Sequence, residues 1–290
     1  MKNKDHSLEV LTSHLIKSIE GMEVKKGLFP VFTVDNILTN EIFESLRSSF
    51  PKENYQLTST EGYFNRGTQE IDYEKLFKVN PLWEVFFSSL SDPRFISALG
   101  KKLAPHIYND RGLRVFFPWK IKDKKNKNYE MNFKLNSDFR LDSIGKRGQI
   151  NPHRDASRKL VTMMFYFADD DWEKKWGGHT VFYKPKNDKC KKIWKVKKWR
   201  HKNNVPAENL NEFNELFEEN LKGEFKANSL GGMCANDYSY HAVNPIDIDE
   251  SRQRRTVRLC LEIDDPYTNF IKIRKLASNI MSKILYRQYI

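Results

Sequence analysis

The stretch from Leu160 to Phe167 limits the fold of this chain more than any other. It is apolar, rich in aromatics and long enough for a central strand buried on both faces. Such a strand needs a partner on each edge and a layer over each face. The downstream chain offers partners. Asp169-Asp170-Asp171 ends the run, Trp176-Gly177-Gly178 turns the chain, and His179 to Tyr183, Ser229 to Ala235, Tyr238 to Val243 and the run opened by Arg254 read as further strands. Gly177 and Gly178 allow backbone angles closed to other residues. Upstream, strands are expected at Leu113 to Phe117, Tyr129 to Leu135 and Asp138 to Asp142, with Lys120 to Asn128 as a turn between two of them. In the last strand Phe139 and Leu141 alternate with Arg140 and Asp142, the period of a half-buried strand.

Helical periodicity lies mainly ahead of these strands. Residues 1 to 26 carry Leu8, Leu11, Leu15, Ile16 and Ile19 at helical spacing, an amphipathic helix expected to support the sheet from outside. Leu28 to Val34 reads as a strand, and Thr39-Asn40-Glu41 starts a helix that runs through Phe50 and stops at Pro51. Residues 51 to 70 read as a long loop. Residues 81 to 106 read as two short helices broken at Pro93. Between the strands, residues 186 to 224 form an insert: a basic segment, then a helix with Leu210, Phe213, Leu216, Phe217 and Leu221 on one face and Gly223 at its end. From Pro266 the chain turns to a basic amphipathic helix, fit for packing on its own domain or on a second subunit, with an anionic membrane as a weaker reading.

Composition narrows the class. With 39% hydrophobic and 13% aromatic residues, the 290-residue chain has ample material for a core. No stretch approaches the length of a transmembrane helix, and the N-terminus mixes charge with its apolar residues, which predicts a cytoplasmic protein. Cys190, Cys234 and Cys260 are widely spaced, so neither a disulfide framework nor a zinc knuckle is expected. The net charge of +12 is concentrated at Lys184 to Lys202, where nine lysines and Arg200 are interleaved with Trp194 and Trp199. That mix could stack on and neutralise a nucleic acid. The favoured reading is that it pairs with the acidic segment Glu208 to Glu219.

The chemistry centres on Gly148-Gln149-Ile150-Asn151-Pro152-His153-Arg154-Asp155. On an extended strand, positions two apart point the same way, so His153 and Asp155 can reach one metal ion. Alone, a His-x-Asp triplet fits a surface turn equally well. Further along stand Asn236 to Pro245, which contain His241, and then Arg254-Arg255-Thr256-Val257-Arg258. Two histidines and a carboxylate on one face of an iron leave three positions open, enough for a chelating 2-oxo acid and dioxygen. An arginine fork can hold the acid's far carboxylate. Arg254, Thr256 and Arg258 share one strand face, with Arg255 and Val257 on the other. Arg254 is therefore the first choice, and a shift of register would bring in Arg255 or Arg258.

In this order and spacing the chain resembles the Fe(II)- and 2-oxoglutarate-dependent dioxygenases, in particular their prolyl-4-hydroxylase-like branch. The resemblance runs from Gly148 to Ile263 through "NPHRD", "RKLVTMMFYFADDDWEKKWGGHTVFY", "NDYSYHAVNPI" and "RRTVRL", with a shorter echo in "FPVFTVDNILTNEIFESLRSSFP". It implies His153, Asp155 and His241 as iron ligands, and Arg254 with Thr256 on the far carboxylate of 2-oxoglutarate. Arg140 and Tyr166 are further cofactor-pocket candidates, as are Tyr240 and Asn236. The implied cofactors are Fe(II), 2-oxoglutarate and O2, with ascorbate as an accessory candidate. One departure is His179, where an acidic residue is common in the family; a pocket role for it competes with a structural one.

The implied fold is α+β, a double-stranded β-helix (jelly-roll) core with flanking N-terminal and C-terminal helices. Residues 1–110 would form the support region and 111–265 the catalytic core with the insert 186–224, followed by the C-terminal helix 266–290. The implied reaction is hydroxylation of an unactivated C–H bond in a small molecule or in a peptide or protein residue, with succinate and CO2 as co-products. Asp155 favours that outcome, because family members that halogenate carry Ala or Gly in its place. By the same resemblance the insert lies beside the active-site mouth and selects the substrate. Two alternatives remain: a nucleic-acid- or protein-directed oxygenase using the basic insert, and a non-catalytic jelly-roll module that keeps a metal for structure. A homo-oligomer is compatible with all of these.

Overall fold

In a computed structural model, residues 2–51, 56–60, 63–69, 73–111, 119–123, 128–131, 135–156, 159–249 and 251–263 are described, with positions 280 and 284. The first third of the chain forms α1 (Lys2–Gly21), the paired strands β1 (Val24–Lys25) and β2 (Val31–Asp35), α2 (Asn40–Ser48), the hairpin β3 (Gln56–Thr60) and β4 (Tyr63–Gln69), and then α3 (Tyr73–Val79), α4 (Leu82–Ser91) and α5 (Pro93–Arg111). Leu11, Leu15 and Ile19 are fully buried, one turn apart. They face α4 and α5, so α1 is a second layer over helices, where the sequence predicts direct support of the sheet. The helices meet the strands through Trp83. Its ring stands 5.7–6.0 Å from those of Phe50, Phe86, Phe87 and Phe167, and its indole N–H donates to Ser49. Burying so large a ring with its one polar atom satisfied makes it a strong anchor.

The remaining strands are β5 (Trp119–Asp123), β6 (Asn128–Met131), β7 (Leu135–His153), β8 (Lys159–Tyr166) and β9 (Thr180–Pro185). After the insert helices α6 (Asp188–Val196) and α7 (Leu210–Leu216) come β10 (Phe217–Gly223), β11 (Ser229–Cys234), β12 (His241–Val243) and β13 (Arg254–Ile263). The organising strand is β7. Its first part, Leu135 to Ile144, pairs with β13; its last part, at Ile150 and His153, pairs with β12. One sheet therefore runs β1-β2-β11-β8-β13-β7 and the other β7-β12-β9-β10. Apart from β10, which follows β9 in the same sheet, the chain from β8 to β13 alternates between the two sheets, which winds them together as a double-stranded β-helix. β8 is buried along its whole length. Val161, Met163, Phe165, Val257, Leu259 and Leu261 pack toward the helices. The alternate residues Thr162, Tyr166 and Arg254 meet Asp155, Thr180 and Gly178 on the other side.

Several sequence expectations change. Residues 56–60 and 63–69 are strands, where a loop was expected; Leu57-Thr58 and Tyr63-Phe64 suit strands, and β4 covers the edge of β7 that β12 and β13 leave open. The expected helix ending at Gly223 stops at Leu216, and Phe217 to Gly223 instead pairs with β9. Short apolar spacing fits both states there, and the free edge of β9 decides it. The expected turn from Lys120 begins as strand β5, paired with β6. The expected strand at Leu113 to Phe117 lies outside the described residues. So does the C-terminal helix from Pro266, except that Ile280 and Ile284 are helical and exposed. No helix among the described residues is long and apolar enough to cross a membrane.

The turn into β9 imposes the tightest local condition. Gly177 has φ 76° and ψ −145°, and a Cβ there would lie 2.1 Å from the carbonyl oxygen of Pro245. Gly177→Ala meets both the strained backbone angle and a rigid backbone atom, and should lower the unfolding free energy in urea by about 3 kcal/mol or more. A loss below about 0.5 kcal/mol, within the range of ordinary surface changes, would contradict this account.

Candidate metal centre

Cross-strand pairing brings the two histidines together. His241 opens β12 directly opposite His153 at the end of β7, and their ring centroids are 4.1 Å apart. Asp155 follows two residues after His153. One donor atom from each of His153, Asp155 and His241 lies within 4.8 Å of the other two. Each imidazole is oriented in the same way: Nδ1 of His153 stands 3.0 Å from the carbonyl oxygen of Asn151, and Nδ1 of His241 stands 3.0 Å from that of Ser239. A carbonyl only accepts, so Nδ1 carries the proton in both rings and Nε2 keeps its lone pair for a metal.

The charges are right for a divalent cation. Burial is the largest influence on Asp155 and disfavours its charge, but His241, Lys159, His153 and the Thr162 bond together hold the carboxyl well below its ordinary range. Burial also lowers the proton affinity of the His241 ring, with Lys159 and Arg258 adding to that effect against Asp155 and the Ser239 carbonyl. Two imidazole nitrogens and one carboxylate form the donor set. Both carboxylate oxygens are held: Thr162 donates to Oδ2 at 2.6 Å and Lys159 to Oδ1 at 3.2 Å. The sequence carries no motif for these two partners; only the register of β8 beside β13 and the short link from Asp155 place them.

Arg254 lies at the far end of the same strand face and is 1% exposed. Its Nε donates to the Gly178 carbonyl at 2.7 Å, an Nη lies 3.4 Å from Thr180 Oγ1, and its plane covers the rings of Tyr166 and Phe225. The Tyr166 hydroxyl is 3.0 Å from Thr180 Oγ1, and burial raises its proton affinity against the pull of Arg254. Thr256 is buried opposite Tyr166 on β8. Arg254, Thr256 and Tyr166 are thus grouped. Arg255 points the other way, paired with Asp169 and covering Phe50, so register excludes it from this face. Arg258 stays on the metal face, where its charge acts on His241.

Three further predicted residues do something else. His179 accepts from the Phe225 N–H and faces the Lys174 carbonyl, so both ring nitrogens serve the turn. Asn236 caps its own loop and donates to Leu28. Tyr240 points away from His241 into a cluster with Trp194, Trp199, Phe213 and Phe217. Arg140 lies opposite Arg258 on β7, and its side chain is outside the described residues.

No family model matches the chain, and no curated protein matches it. Among solved structures it is similar to 2-oxoglutarate oxygenases. A Pseudomonas putida prolyl-4-hydroxylase aligns over 88% of this chain and 99% of its own at 11% identity, with a TM-score of 0.47. A Trichoplax adhaerens prolyl hydroxylase, solved in complex with a hypoxia inducible factor peptide fragment, aligns over 90% and 93% at 9% identity and a TM-score of 0.48. HygX from Streptomyces hygroscopicus, solved with nickel and 2-oxoglutarate, aligns over 81% and 83% at 12% identity and a TM-score of 0.43.

The insert packs beside this centre as a small core of its own. Trp194 and Trp199 are 3% and 5% exposed, so neither presents a face for stacking on a base. Trp199 donates to Glu212, Lys197 pairs with Glu212, and Lys184 with Glu218, in line with the expected pairing to the acidic segment.

Because Thr162 fixes the second oxygen of Asp155, Thr162→Val should weaken Co(II) binding by about 10- to 100-fold, the usual cost of losing a partner of a metal ligand. Calorimetric titration of folded protein checks this. Unchanged affinity would show that Thr162 does not orient Asp155.

Proposed function

We propose that this protein is an Fe(II)- and 2-oxoglutarate-dependent oxygenase that hydroxylates an unactivated C–H bond of a small molecule or of a peptide or protein residue. The observation that carries the reading is the convergence of His153, Asp155 and His241, with Nδ1 of each ring held by a backbone carbonyl and the carboxyl held well below its ordinary range. Hard and borderline donors without sulfur suit a first-row divalent ion, and three donors leave coordination positions open. A structural metal is ordinarily closed by four protein ligands, and among the described residues only these three converge. That difference weighs against a purely structural role.

Bound here, iron would activate dioxygen against 2-oxoglutarate as the co-substrate that is oxidised, one oxygen atom going to the substrate hydroxyl and the other to succinate, with CO2 released. The chain's own residues do the rest. His153, Asp155 and His241 hold the metal, and Thr162 and Lys159 keep the carboxylate in place. Arg254, with Thr256 and Tyr166 beside it, is placed to receive the far carboxylate of the oxo acid. Apolar walls from Phe182, Met164 and Phe225 keep the interior dry, which strengthens each of these charged contacts.

Anaerobic addition of Fe(II) and then 2-oxoglutarate should produce the weak visible absorption of a chelated 2-oxo acid. Asp155→Ala should abolish it. Arg254→Gln should raise the 2-oxoglutarate concentration needed by about 100-fold, the scale of losing a charged bidentate contact. A larger effect from Arg258→Gln would move the anchor to that residue. Absence of the band in folded, metal-loaded protein would overturn the assignment.

A further inference from the structure

The row of side chains that begins with His241 and His153 has a third member. On the edge of β7 away from β12, Asn204 of the insert forms an antiparallel bridge with His153. The flanking bonds run from Arg154 N to Asn203 O at 2.8 Å and from Val205 N to Pro152 O at 3.0 Å. Bonds in those places make His153 and Asn204 a non-hydrogen-bonded pair, whose side chains leave on the same face with Cβ atoms about 4.5–5.5 Å apart. Asn204 therefore stands beside His153 on the face that also carries His241. It is half-buried, and among the described residues its carboxamide has no hydrogen-bond partner.

What holds it there is the residue between the two ligands of the His-x-Asp triplet. Arg154 leaves β7 on the opposite face and is 6% exposed. Its guanidinium donates to the carbonyls of Asp237 at 3.1 Å, Lys202 at 3.2 Å and Arg200, and it covers the ring of Tyr240 at 5.1 Å. A planar fork can serve several carbonyls and an aromatic face at once; an ammonium cannot match that geometry. The insert is thereby fastened to the metal-bearing strand within two residues of Asn204.

We propose that Asn204 is a substrate-contacting residue on the open side of the metal centre, and that Arg154 is the positioning residue that keeps it there. The proposal rests on the metal reading given above. A neutral carboxamide can donate and accept, and left unpaired beside a reacting centre it discriminates against ligands that offer it nothing.

The test uses full-length protein labelled with 15N in asparagine and histidine, titrated with Zn(II) and with Co(II), the Asn204→Ser variant identifying the Asn204 side-chain signal. The paramagnetic ion should shift or broaden that signal, and Zn(II) should not. In Arg154→Met the effect should fall by at least half, and in Arg154→Lys, which keeps the charge but not the fork, it should fall as well if the first variant does not fold. Asn204→Asp, which sets a second carboxylate beside the ion, should tighten Co(II) binding by about tenfold or more. If Co(II) moves the His153 and His241 signals but not that of Asn204, the placement is wrong and the metal reading survives. If it moves none of the three, both are wrong. An undiminished Asn204 effect in folded Arg154 variants overturns the positioning role.

Discussion

The pairing of β7 with β12 is the contact on which the rest depends. β7 is a single strand that serves both sheets, and where it passes into the second sheet its last residue, His153, comes opposite His241. Two imidazoles that close would repel if both were protonated, so their geometry disfavours a charge on both rings. Burial of His241, helped by Lys159 and Arg258, lowers the proton affinity of that ring, and the carbonyl two residues back from each ring sets its tautomer by holding Nδ1. Asp155 then supplies the negative charge a divalent ion needs, and the sheet register supplies its partners. The three donors are short side chains set by strand register, and Thr162 and Lys159 hold the carboxylate, which makes it a preorganised site.

The same strand also fastens the insert. Alternation along His153, Arg154 and Asp155 sends the two ligands to one face and the guanidinium to the other. The first face holds the metal site; the second fastens the insert. The insert's tryptophans are consumed in its own core, Lys184 and Lys197 pair with the acidic residues that follow, and Lys191 lies over the Tyr238 ring. On the proposed reading its contribution to recognition comes through the segment that touches β7, with Asn204 at its centre, rather than through a stacking surface.

Much of this was legible in the sequence. The apolar run from Leu160, the glycine pair and the His-x-Asp and His241 positions define the core strands and the donor set, because strand period and metal chemistry each restrict residue type. The face of Arg254 was legible too, from simple alternation. What was not legible depended on long-range pairing. The hairpin at residues 56–69 and the strand Phe217 to Gly223 form because β7 and β9 have edges to cover, and no local pattern announces a free edge. Thr162, Arg154 and Asn204 acquire their roles only when register sets them beside Asp155, three backbone carbonyls and His153. His179, by contrast, has a composition that invites a pocket role and a structure that spends both nitrogens on a turn.

The central claim is that one ion is held by two imidazoles and one carboxylate with positions left open. X-ray absorption at the iron edge of anaerobic Fe(II)-loaded protein tests it most directly. The account predicts a first shell of nitrogen and oxygen only, with outer-shell scattering from two imidazole rings. A shell that contains sulfur, or scattering that fits fewer than two rings, would contradict it.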